Sequence, residues 1–62
     1  MKKLTLKQIM KKYVKGNVDS YWENSIKMIL QLLNPNGGKW VWPAAGLCFT
    51  RIADDCYLVQ RA

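Results

Sequence analysis

The sequence predicts an α+β fold, a helical hairpin packed on a three-stranded antiparallel meander. Two observations predict it. Apolar residues recur every three or four positions through the first half of the chain, then every second position from Trp40 onward. Between these halves lies Asn34-Pro35-Asn36-Gly37-Gly38, which neither a helix nor a strand sustains. No repeat, linker or low-complexity tract interrupts the 62 residues, so 1–62 reads as one domain.

The first helix is expected over about 5–15. Thr5 and Gln8 form a capping box, and Leu6, Ile9, Met10, Tyr13 and Val14 follow at helical spacing. Lys7, Lys11, Lys12 and Lys15 fall on the opposite arc with no acid among them. Gly16-Asn17 supplies residues that tolerate positive φ and ends the helix.

The second helix, about 20–33, is the element the rest is organised around. Ser20 and Glu23 suggest a second capping box. Trp22, Ile26, Ile29, Leu30 and Leu33 stack on one side, extended by Tyr21, Met28 and Leu32 to an apolar arc of on the order of 200°. Such an arc predicts packing against two partners, with Trp22 so deeply used that its truncation costs roughly 3–5 kcal/mol. The short connection at Gly16–Asp19 makes the two helices a hairpin. A DNA-reading helix-turn-helix is disfavoured, because lysines occupy the turn before Gly16 and no third helix follows.

Strands are expected at about 39–43, 47–52 and 56–61, with Pro43 stopping the first and Asp54-Asp55 turning the second into the third. Gly37-Gly38-Lys39 is a plain turn, since it follows a helix and precedes a strand, the reverse of a phosphate-binding loop. Leu47, Phe49, Arg51, Tyr57, Val59 and Arg61 share one sheet face, and Cys48, Thr50, Ile52, Cys56, Leu58 and Gln60 the other. Two helices cover one face only, so the other presents an interaction surface. Alternation alone does not say which.

Composition narrows the function. A chain this short buries only about 60 % of its unfolded surface and usually leans on a disulfide, a metal or a partner. Cys48 and Cys56 are the only cysteines, there is no His, and four soft ligands for zinc are lacking. With Cys48 opposite Gln60 or Arg61, Cys56 lies about four residues down the ladder, on the order of 13 Å away. A disulfide spans roughly 7 Å between Cα atoms, so two reduced thiols are expected. The four acids are accounted for at helix starts and a turn, which leaves no general base and makes an enzyme unexpected. No apolar segment follows Met1-Lys2-Lys3 as in a signal peptide, and no run approaches the ~18 residues of a membrane span, so a cytoplasmic location is expected.

What remains is the formal charge of +6 from ten Lys and Arg against four Asp and Glu. It points to an anionic partner. The expected function is therefore binding, by a small basic protein of the size of phage, plasmid or ribosome-associated accessory factors. DNA or RNA would meet a basic arm and helix, Lys2 and Lys3 with Lys7, Lys11, Lys12 and Lys15, with contacts added by Arg51 and Arg61. The alternative is a protein-interaction module of phage or mobile-element type. It would be an inhibitor docking on a larger protein, or a homodimer through the open sheet face, using Trp40, Trp42, Phe49 and Tyr57. Neither reading involves a cofactor, a metal, a membrane or a small-molecule substrate.

Overall fold

The computed structural model describes residues 2–62, and Met1 lies outside them. Two helical elements cover one face of a four-stranded antiparallel sheet. In chain order these are β1 (Lys2–Leu4), α1 (Leu6–Ile9) running into a π turn (Met10–Val14), α2 (Ser20–Leu32), β2 (Gly38–Trp42), β3 (Leu47–Ala53) and β4 (Cys56–Arg61). The strand order is β1-β4-β3-β2.

The expected meander is present as β2-β3-β4, but the sheet has a fourth strand. Lys2, Lys3 and Leu4 pair with Val59, Leu58 and Tyr57, so the basic start of the chain closes the free edge of β4. Three residues are too few for alternation to reveal. The β3–β4 ladder sets Cys48 against Gln60, as expected, and both cysteines are free thiols.

The first helix departs from regular geometry. Thr5 caps α1 in the reciprocal box with Gln8. The Lys15 amide then donates to Met10 O, five residues back, at 2.7 Å. That wider turn carries Ile9 and Val14 onto the same side, and both are fully buried. It also redistributes the lysines. Lys7 and Lys15 face α2, whereas Lys11 and Lys12 lie toward Leu4 and Gln8, so they do not share the single arc that regular spacing implies.

At α2 the cap is Asp19, not Ser20. Its carboxylate accepts the Trp22 amide at 2.8 Å, a charge suited to the positive end of the helix dipole. The helix ends at Leu32, before the Asn34-Pro35 step, with Leu33 already extended. Only Ile26 and Leu30 of α2 are buried. Trp22 is 50 % exposed, so the large truncation cost expected there does not apply.

Phe49, Tyr57 and Val59 meet Ile9, Val14, Ile26 and Leu30 in the core, which settles the sheet face. Helices cover the Phe49–Tyr57 face, and the Cys48–Thr50 face is uncovered. Tyr57 donates its phenol to Leu30 O at 3.0 Å. Arg51 joins the C-terminal end of α2 to the β3–β4 turn, with Nη1 donating to Gln31 O and Leu33 O at 2.8 Å each and Nη2 to Asp54 O at 2.6 Å. Gly38 has no room for a side chain, because a Cβ there would run into the Asn34 backbone.

Tyr57 makes stability sensitive to alkali. Burial pushes its pKa above the ordinary 10.0, since the phenolate would be desolvated and the neutral hydroxyl has a partner. The folded state thus holds this proton more tightly than the unfolded chain. The stabilisation is full below pH 10 and is lost as pH rises through the raised value. Thermal melts should be level near neutrality and fall in alkali. Tyr57→Phe should cost about 1 kcal/mol at neutral pH and show a shallower alkaline decline.

Candidate nucleic-acid interface

β2 positions the aromatic part of the site. On the helix-covered face its alternation places Trp40 opposite Phe49 and Trp42 opposite Leu47. Trp40 stacks on Phe49 at 5.9 Å and 14°, and Trp42 on Trp40 at 5.9 Å and 18°. The ladder thus starts in the core and steps outward to a half-buried indole at the sheet's edge. Pro43–Ala45 then folds as a single 3-10 turn, and Gly46 closes it at φ 66°. This keeps Ala44 and Ala45 beside Trp42 without filling the space in front of it.

The opposite wall comes from the helices. Tyr13 sets its ring edge-on to Phe49 at 6.3 Å, and the first turn of α2 supplies Trp22. Between them, the Gly16 turn at φ 87° and the Asn17 side chain, which donates to Tyr13 O at 3.0 Å, fix Val18. The result is an open groove of about 520 Å³ lined by Tyr13, Val18, Trp22, Trp42 and Leu47, with Lys12 and Asn17 at its rim. Its size is that of a small-ligand site. Its aromatic walls and lack of a carboxylate among the described residues set its chemistry.

The rim is basic. Lys12 Nζ stands 5.6 Å from the Tyr13 ring centroid, and the neighbouring Lys2 side chain has its pKa held below 10.5 by the Lys12 ammonium beside it. Two cations held together repel, and an anion between them relieves the repulsion. Arg61 belongs to the same end, because it pairs with Leu47 of the groove wall and is exposed. The acids lie elsewhere. Asp19 caps α2, Glu23 lies in a second groove with Lys7, Lys15 and Lys27, and Asp54 and Asp55 sit at the far end with Arg51.

The residues expected from sequence are thus only partly brought together. Lys12 and Trp42 line the groove, Arg61 lies across the ladder from its Leu47, and Lys11 is nearby on the Lys12 flank. Lys7 and Lys15 form a separate basic groove with Lys27. Arg51, expected on phosphates, is a correction: its guanidinium is committed to three backbone carbonyls. Phe49 and Tyr57, expected on an open face, are also corrected, because at 0 % and 1 % exposure they are core. Trp40 is mostly a packing residue between Phe49 and Trp42. Sequence reasoning named Lys2 with the basic arm but missed Tyr13 and Trp22 as site residues, reading both as packing positions. The acid-free start and the surplus of aromatics were the available signals.

The uncovered sheet face is of another kind. Val41 and Ile52 are 48 % and 37 % exposed, and Thr50 is buried with no hydrogen-bond partner for Oγ1. Lys39 and Lys3 flank the row through Thr50 and Leu58. Among the described residues no cluster of three His, Cys, Asp or Glu side chains is placed to hold a metal, and no helix is long and apolar enough to cross a membrane. Compared with family models, curated proteins and solved structures, the chain matches none.

Proposed function

We propose that this protein binds nucleic acid at the aromatic groove, by contact and not by catalysis. The observation that carries the reading is a groove walled by Tyr13, Trp22 and Trp42 that has Lys12, and no carboxylate, among its lining residues. Lysines take phosphates, and indole faces take bases, whose stacking is worth about 1–3 kcal/mol each. Bases reach an indole only when they are unpaired, so a single strand of DNA or RNA is the better fit. Lys2, Lys12 and Arg61 would hold its backbone while a base enters between Trp22 and Trp42.

The second reading is a protein partner on the uncovered sheet face, favoured by the exposure of Val41 and Ile52. Fluorescence anisotropy of labelled single strands and duplexes, titrated from low to high salt, separates the two. Nucleic-acid binding predicts a single-strand preference and a log affinity that falls with log salt at a slope of roughly −2, for three phosphates at about −0.7 each. An absence of binding at low salt would overturn it and leave the sheet face as the functional surface.

A further inference from the structure

The π turn divides the lysines of the first helix between two grooves. Lys12 lines the aromatic one, while Lys15 faces α2 and lines the other. This second groove lies between α1, with its π turn, and the first half of α2, and has a volume of about 530 Å³. Half-buried Leu6 and Met10 give it apolar surface, and exposed Lys7, Lys15 and Lys27 surround them. Glu23 and Asn24 complete the lining. Three cations thus meet one carboxylate, and the occupant that matches them is an anion.

We infer, on the reading of the aromatic groove as a base site, that the second groove takes phosphates of the same strand. The two grooves adjoin at both walls. Gly16, at φ 87°, turns the chain between Lys15 on the second groove and Asn17 on the first. Lys15, Gly16 and Asn17 are all exposed, so the crossing from one groove to the other runs over open surface. On α2, Trp22 lines the first groove, and its neighbours Glu23 and Asn24 line the second.

The linings also divide the chemistry. Aromatic rings wall the first groove and suit bases, whereas the second has lysines and, among the described residues, no ring. A base gains no stacking there, but a phosphate gains a cation. Lys7 and Lys15 are eight residues apart, ~12 Å along the helix, with Lys27 on the facing wall. That spacing gives about three phosphates one ammonium each, while Leu6 and Met10 offer apolar surface to the sugars between them. An acidic protein segment would answer to the same lysines, but the open crossing at Gly16 favours the strand that the first groove already holds. The strand recognised is then one of about six phosphates, three to each groove, within the usual range for single-strand sites.

Salt titrations of a thymidine tetranucleotide and decanucleotide test this, with the parent and with Lys15→Gln/Lys27→Gln. Both lysines are exposed, and circular dichroism checks that the variant keeps the fold. The tetranucleotide offers about three phosphates and is expected to give a log–log slope of roughly −2 with parent and variant alike. The decanucleotide should give about −4 with the parent, for six phosphates at about −0.7 each, and a slope about 1.4 shallower with the variant. Slope is the readout because a longer strand also offers more registers, which raise affinity without changing its salt dependence. Equal slopes for the two strands would overturn the second groove as a phosphate site and leave an acidic protein segment as its fit. So would a decanucleotide slope that the double variant leaves unchanged. In both cases tetranucleotide binding keeps the base site standing, whereas failure of both strands to bind at low salt removes the proposed function and this extension together.

Discussion

Phe49→Ala is expected to leave the chain largely unfolded at room temperature. Phe49 is fully buried at the centre of the sheet, stacked on Trp40 and met edge-on by Tyr13. Removing such a ring costs about 3–5 kcal/mol through lost transfer and the cavity left behind. A domain of this length has a total of roughly 3–9 kcal/mol. The aromatic ladder also rests on this ring, so Trp40 and Trp42 lose their footing with it. Far-ultraviolet circular dichroism and a urea titration read the result directly. Lys27→Ala, at an exposed position, is the control that should melt like the parent. A Phe49→Ala variant with the parent's midpoint would mean that the core lies elsewhere.

Lys12→Glu is expected to abolish detectable nucleic-acid binding at physiological salt while leaving the fold intact. Lys12 stands at the groove rim beside Lys2, and the substitution turns a repelling pair into an attracting one. Both cations are then lost to phosphate, and the log–log salt slope should drop by more than one unit toward roughly −0.7. Stability should change by no more than about 0.5 kcal/mol, because an exposed ion pair is worth little. Lys39→Glu, on the uncovered face, should lower affinity only slightly through net charge. Equal losses from the two variants would point to a diffuse charge effect and away from a built groove.

Much of the fold was legible because periodicity reports burial. The alternation of Phe49, Tyr57 and Val59 assigned a shared sheet face, and the ladder kept it. What alternation does not encode is which face the helices choose, since both faces are partly apolar. Arg51 was misplaced for that reason. Read on an open face, its charge suggests phosphate, whereas under the end of α2 the same guanidinium satisfies helix carbonyls.

Trp22 shows the complementary limit. A wide apolar arc on α2 signals two neighbours, yet the folded chain provides only one side of cover. The arc itself was legible, but not that half of it would remain outside the core. The π turn was hidden as well, because Leu6, Ile9, Met10, Tyr13 and Val14 fit ordinary helical spacing. Only the Lys15 amide reaching Met10 O shows that the lysines part company there.

The most direct measurement is a nuclear magnetic resonance titration of the labelled protein with a short single-stranded oligonucleotide, following indole and amide signals together. Binding at the groove predicts that the Trp22 and Trp42 indole resonances move first, with Lys12, Val18 and Ala45 amides, while Val41 and Ile52 stay in place. Shifts confined to Val41, Ile52 and Leu58, or no shifts at low salt, would contradict it.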